Sequence, residues 1–192
     1  MHQIAEKYYQ NLAQTLTAIQ FSDAQGAAFD FCDGIARAGE LILTLAAAGR
    51  KMMFIGNGAS AAISSHMAAD YSKNGGIRAM AFNDIALLTA VSNDLGYQHV
   101  FARPIDLFAE TGDVLVAISS SGRSENILQG VQAARQKTCT IVTLSGFTPD
   151  NPLRALGDVN FYVPSPHYGL VEIIHHSICH CILDVLMTKR NQ

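Results

Sequence analysis

The chain has 192 residues, of which 49% are hydrophobic and 15% charged, and its formal net charge is −3. That is the make-up of a globular chain able to bury a core of its own, most simply as one domain over residues 1–192. No run of lysines or arginines occurs, which excludes an electrostatic footprint for nucleic acid or an anionic membrane surface.

The opening "MHQIAEKYYQNLAQTL" mixes polar and apolar residues and does not read as a secretory signal. Ile4, Tyr8, Leu12, Leu16 and Ile19 recur at helical spacing and predict a helix over residues 3–19 with one apolar face. Phe21-Ser22-Asp23 reads as a stop and a fresh cap. A second helix is expected through residues 28–48, closed by Gly49 in the position after a helix that favours glycine. These two make an N-terminal helical pair, residues 1–49, ahead of an α/β sandwich over residues 50–192.

From "KMMFI" onward strands and helices alternate. Strands are expected near 51–55, 79–82, 113–118, 140–144 and 159–163. Helices are expected at 59–72, at 125–136, at 171–189, as one or two short pieces between 85 and 109, and briefly at "NPLRAL". Such alternation implies right-handed crossovers and a parallel sheet covered on both faces. The strand runs are apolar without alternation, as central parallel strands require. No apolar segment runs the ~18 residues of a membrane span. The fold class is therefore α/β: a three-layer, flavodoxin-like sandwich around a five-stranded parallel sheet, with two extra N-terminal helices. Cys32, Cys139, Cys179 and Cys181 include no C-x-x-C pair and read as reduced, buried thiols of a cytoplasmic protein.

In an open parallel sheet, ligands sit beyond the carboxyl ends of the strands where strand order reverses. For a flavodoxin-like order this crevice lies between the first and third strands. Those strands feed "GNGAS" and "SSSGRS", the two most polar glycine-bearing turns, and each leads into a helix. Glycine permits close backbone approach, and a helix start offers free N–H groups and partial positive charge. Ser119, Ser121 and Ser124 add donors suited to phosphate oxygens. The plainer reading of either loop alone is a turn with an ordinary N-cap. Neither loop is a G-x-G-x-x-G turn or a Walker A, so the expected ligand is a small phosphorylated molecule.

His66 and Asp70 stand four apart on the helix after the first strand, hence on one face. His180 lies on the last helix, with His176 and Glu172 at four-residue steps before it. Two histidines and two carboxylates paired on two helices can enclose a Zn²⁺-sized cation. Spacing leaves His175 and His176 without an assigned role. Cys179-His180-Cys181 is not a metal tripeptide, because its members point ~100° apart on a helix. Arg123 offers charge to a phosphate or points to solvent.

The stretches "FIGNGASAAISSHMAAD", "VSNDLGY", "GDVLVAISSSGRSENI" and "VEIIHHSICHCILDVL" resemble the sugar isomerase (SIS) domain proteins, and among them the phosphoheptose isomerases, over nearly the whole chain. The resemblance implies an aldose–ketose isomerase converting D-sedoheptulose 7-phosphate to D-glycero-D-manno-heptose 7-phosphate through an enediol. Its product would serve heptose-containing glycans such as lipopolysaccharide or capsule. The resemblance implies phosphate binding by Ser119, Ser120, Ser121 and Ser124 with Asn57, Gly58 and Ser60, and substrate contacts from Asn93, Asp94 and Glu172. It further implies one Zn²⁺ per subunit on His66, Asp70, Glu172 and His180, with Asp70 and His180 as the acid–base pair. A homotetramer with sites at subunit boundaries is implied as well. Two positions depart from the family, which carries glutamate where Asp70 stands and glutamine where Glu172 stands. Its substrate-contacting arginine is also absent, Lys73 being the nearest cation. Two alternatives stay open: an isomerase of another sugar phosphate, or a non-catalytic SIS tetramer that binds a protein, as the DnaA initiator-associating proteins do.

Overall fold

The computed structural model describes residues 1–190. Its strands are β1 (Gln20–Asp23), β2 (Ala28–Phe29), β3 (Met52–Gly56), β4 (Ala79–Ala81), β5 (Val114–Ser119), β6 (Thr140–Gly146) and β7 (Val159–Val163). Its helices are α1 (His2–Thr17), α2 (Phe31–Ala47), α3 (Ala59–Lys73), α4 (Ile85–Leu95), α5 (Ala102–Phe108), α6 (Glu125–Gln136) and α7 (Tyr168–Arg190). Short 3₁₀ turns lie at Tyr97–His99 and Pro152–Ala155.

One seven-stranded sheet runs β2-β1-β7-β6-β5-β3-β4. Its five strands from β7 to β4 are parallel and follow the flavodoxin-like order, so strand order reverses between β3 and β5. Successive strand residues serve opposite faces. Met52, Phe54, Val114, Val116 and Ile118 join one core with α2, α3 and α7. Met53, Ile55, Leu115 and Ala117 join a second core with α5 and α6. Period-two alternation thus divides unbroken apolar strands between two helical layers.

The sheet is two strands wider than the five expected. β1 and β2 form an antiparallel hairpin on the β7 edge, with Phe21 opposite Phe29 and Phe161. Phe21-Ser22-Asp23, expected to stop one helix and cap the next, is instead a strand ending in a turn. Asp23 Oδ1 accepts the backbone N–H groups of Gln25 and Ala27, and Gly26 takes φ +77°. Phe21 is 2% exposed, and its ring lies 5.3 Å from that of Phe161. Burying those rings outweighs the helical preference of the flanking residues. The second helix accordingly starts at Phe31 rather than 28, with Asp30 accepting the Cys32 N–H as its N-cap. It closes as expected, with Gly49 at φ +75°.

α7 also differs from expectation. By length and composition alone it is apolar enough to cross a membrane, with a mean hydropathy of 1.5 over 18 residues. Half of that window is buried, and Val171, Ile174, Ile178, Ile182 and Leu186 pack into the core shared with α2 and α3. This is the pattern of a core helix laid across a sheet.

Candidate active site

Both loops expected at the switch point are there. The β3–α3 loop and the β5–α6 loop close around a cavity of about 120 Å³, lined by Asn57, Ser60, Ser119, Ser120, Ser121 and Ser124 with Tyr168 and Glu172 of α7 opposite. That is well below the ~300 Å³ of an ordinary small-molecule site, so it takes the head of a ligand rather than the whole.

Local backbone explains why the sequence makes this cradle. Gly58 stands before α3 at φ +57°, and Gly122 turns the serine loop at φ +62°. A Cβ at Gly122 would lie 2.0 Å from Asn151 Oδ1, so only glycine fits against that buried side chain. Ser119 Oγ accepts the Gly122 N–H at 3.2 Å and lies 3.3 Å from Ser124 Oγ. Ser124 is the N-cap of α6, yet its hydroxyl makes no capping hydrogen bond. Gly58 caps α3 without a side chain. Two helix N-termini therefore open towards one pocket with their N–H groups uncapped by side chains, which suits an anion. The loops are tied together by a reciprocal amide pair, Asn57 and Asn126 each donating to the other at 2.9 Å. Tyr97 Oη donates to Asn57 Oδ1 at 2.9 Å.

Several expected contacts are not brought into this pocket. Asn93 and Asp94 bond to each other at 2.8 Å on the exposed end of α4 and do not line the cavity. Arg123 turns outward to Asp150 and Thr148. Among the described residues no cationic side chain lines the cavity, and hydroxyls, amides and helix ends are the groups this chain offers an anion there.

The second part of the site lies between α3 and α7. His66 Nε2 is 3.3 Å from Asp70 Oδ2, and His180 Nδ1 is 3.9 Å from the same oxygen. Asp70 Oδ1 accepts from Asn74 Nδ2 at 3.3 Å. His176 completes the group: the candidate ligand nitrogens of His66, His176 and His180 all lie within 4.8 Å of one another. Burial, then the neighbouring His180 and His66, hold the His176 imidazole below its ordinary pKa, while Asp70 opposes them. His176 Nε2 is buried without a hydrogen-bond partner. Imidazoles beside a carboxylate, one with an orphaned nitrogen, are a donor set that suits Zn²⁺.

Glu172 does not join this group; it faces the serine cavity one turn earlier on α7. His175 points the other way, into the core, where Nε2–H donates to the Ser145 carbonyl at 3.1 Å. Burial pushes its pKa down to about 4. Sequence spacing missed Asn126, Tyr97, Tyr168 and the place of His176. Only the four-residue step from His176 to His180 signalled the last.

The arrangement can bind an anionic head at one end and move protons at the other. The rise of a helix puts His176 about 6 Å and His180 about 12 Å along α7 from Glu172. An elongated ligand would span the two.

The SIS domain family model matches residues 7–146. The chain is 41% identical over 159 residues to a phosphoheptose isomerase of Bradyrhizobium sp., covering 76% of this chain and 78% of that one. It is 32% identical over 167 residues to a phosphoheptose isomerase of Helicobacter hepaticus, covering 84% and 85%. The solved phosphoheptose isomerase of Neisseria gonorrhoeae superposes with a TM-score of 0.85 at 28% identity, covering 96% and 98%. The chain belongs to the phosphoheptose isomerase family of SIS-domain proteins.

Proposed function

We propose that this chain interconverts D-sedoheptulose 7-phosphate and D-glycero-D-manno-heptose 7-phosphate. One observation carries the reading: a serine-lined cradle with two helix N-termini open towards it and a carboxylate–imidazole cluster share α3 and α7, one to two helical turns apart. Family membership and the names of its relatives support the choice of sugar.

In this reading Ser119, Ser120, Ser121 and Ser124 hold the phosphate with Asn57, Ser60 and the N–H groups at the starts of α3 and α6. Glu172 would repel a phosphate at close range, so its carboxylate instead accepts from sugar hydroxyls further along the chain. Phosphate binding remote from the reacting carbons positions the open-chain sugar. Asp70 takes the proton from C1 of the ketose, leaving an enediol, and returns it to C2 to give the aldose. His180 moves the accompanying proton from the C1 hydroxyl to the C2 oxygen. Zn²⁺, one per subunit, would be held among His66, His180 and the neighbouring side chains, and when bound supplies a Lewis acid for the carbonyl oxygen.

The reading extends to a cytoplasmic homotetramer. Ile4, Tyr8 and Leu16 leave an apolar stripe exposed on α1, and Ile173 and Val185 do so on α7, more than one subunit's core uses. A purely protein-binding role has no use for the Asp70–His66–His180 cluster.

NMR of the purified protein with sedoheptulose 7-phosphate, with and without zinc, tests the reaction. An aldoheptose 7-phosphate should form, and Asp70→Asn should lower turnover by about 10²–10⁴-fold. No product under either condition would remove this sugar as substrate.

A further inference from the structure

Resting on the isomerase reading, the geometry points to a three-imidazole metal centre: we infer that His66, His176 and His180 ligate the zinc, and that Asp70 and Glu172 do not. Metal content and affinity can judge this even where turnover fails.

His176 and His180 are four residues apart on one face of α7, with ring centroids 4.7 Å apart. Two histidines at this spacing on one helix face present their nitrogens to a common ion. His66 of α3 meets both, at 5.1 Å from His176 and 5.3 Å from His180. Zinc–nitrogen bonds of about 2.0–2.1 Å set tetrahedral ligands roughly 3.3 Å apart. The ligand nitrogens, within 4.8 Å of each other, reach that by small side-chain rotations. The buried Nε2 of His176 has no hydrogen-bond partner, and a ligand bond satisfies it.

The carboxylates are left for other work. Asp70 Oδ2 lies 3.3 Å from His66 Nε2 and 3.9 Å from His180 Nδ1, but Asp70 is not in the group whose ligand atoms all lie within 4.8 Å of one another. A ligating imidazole commonly donates its second N–H to a carboxylate, and Asp70 lies close enough to His66 to take that part. Glu172 faces the serine cavity instead. Three protein ligands leave one position of a tetrahedral ion open, the mark of a catalytic rather than a structural zinc. An imidazole committed to the ion cannot carry a proton through the same nitrogen. In the loaded protein His180 would therefore pass the hydroxyl proton through its other ring nitrogen, while Asp70 keeps the transfer between C1 and C2.

The test measures zinc stoichiometry, zinc affinity against a chromophoric chelator, and the visible spectrum of the Co²⁺-substituted protein. Wild type should hold one ion per chain. His176→Ala should weaken zinc binding beyond the ~10–100-fold typical of losing an outer-shell partner, and should alter the Co²⁺ spectrum. Glu172→Gln should keep affinity within about 3-fold and leave the spectrum unchanged, since an outer-lying group perturbs the ion least. Thermal unfolding checks that each variant is folded, and His176→Gln, closer in volume, replaces His176→Ala if that variant is not. Unchanged affinity in the folded His176 variant, or its loss in Glu172→Gln, would overturn the assignment. So would a wild type that binds no zinc. Turnover by the metal-free protein then judges the isomerase reading separately.

Discussion

The two ends of the parallel sheet carry similar polar residues and use them in opposite ways. At the amino ends, Asp113 precedes β5 and is fully buried. Its Oδ1 accepts the Lys51 N–H at 2.9 Å, and its Oδ2 accepts the Glu110 N–H at 2.8 Å and the Lys51 ammonium at 2.6 Å. Asp158, before β7, accepts the Ile141 N–H and the Arg135 guanidinium. Every oxygen is engaged within the protein. At the carboxyl ends, Ser124 occupies an N-cap position without capping, and between α3 and α7 the Nε2 of His176 has no partner. Saturation marks the structural end, whereas an open atom points to a ligand only where other donors converge on it, as at His176; His175 Nδ1 is also unpartnered but lies in the core.

Asp113→Ala attacks the saturated end and should have the largest effect. It leaves the Lys51 ammonium, 8% exposed, without its closest partner, and costs about 3–5 kcal/mol in urea unfolding. A loss below about 1 kcal/mol would mean this end is no better anchored than an exposed ion pair.

His175 gives a pH test of the core beneath the site. Its folded pKa of about 4 lies below the ordinary 6.5, so the native state favours the neutral ring. Its contribution is complete above about pH 6.5 and is lost as pH falls towards 4, where the unfolded chain binds a proton that the folded one does not. Between about pH 7.5 and 4 the wild type should lose on the order of 3 kcal/mol more than His175→Gln. Parallel unfolding curves for the two proteins across that range would refute the buried neutral ring.

The smallest effect sharpens the comparison most. Ser124→Ala should leave stability within about 0.5 kcal/mol, because no capping bond is lost, whereas Asp84→Ala, which removes a cap accepting the Leu87 N–H, should cost about 1 kcal/mol. The same Ser124→Ala should raise KM for the sugar phosphate by about 5-fold, the equivalent of one hydrogen bond. If Ser124→Ala destabilises as much as Asp84→Ala, Ser124 is an ordinary cap and the anion cradle loses a member.

Sequence reasoning reached the cradle because strand–helix alternation fixes a parallel sheet, and the polar loops at its switch point need no side-chain detail to locate. It missed the β1–β2 hairpin, where three residues around Phe21 carry no strand periodicity of their own and are extended only by pairing with β7. The polar stripe of α7 was visible but not its phase. Each four-residue step drifts about 40° round a helix, so Glu172 and His180 stand roughly 80° apart with His176 between them. Where α3 crosses decides which of the three face His66, and spacing along one helix contains nothing about that crossing. Spacing likewise could not say where Asn93 and Arg123 point: in this chain Asn93 bonds to Asp94, and Arg123 takes the outward of its two open readings, towards Asp150.

The sequence by itself determined the layers, the strand order's switch point and the serine–glycine loops there, because local periodicity and chain-crossover rules act through neighbours along the chain. Tertiary structure alone decided that Glu172 turns to the serine cavity while His176 joins His66 and His180, and that Arg123 turns away from the cradle. Those choices rest on how two helices pack over one sheet, a contact between residues more than a hundred positions apart.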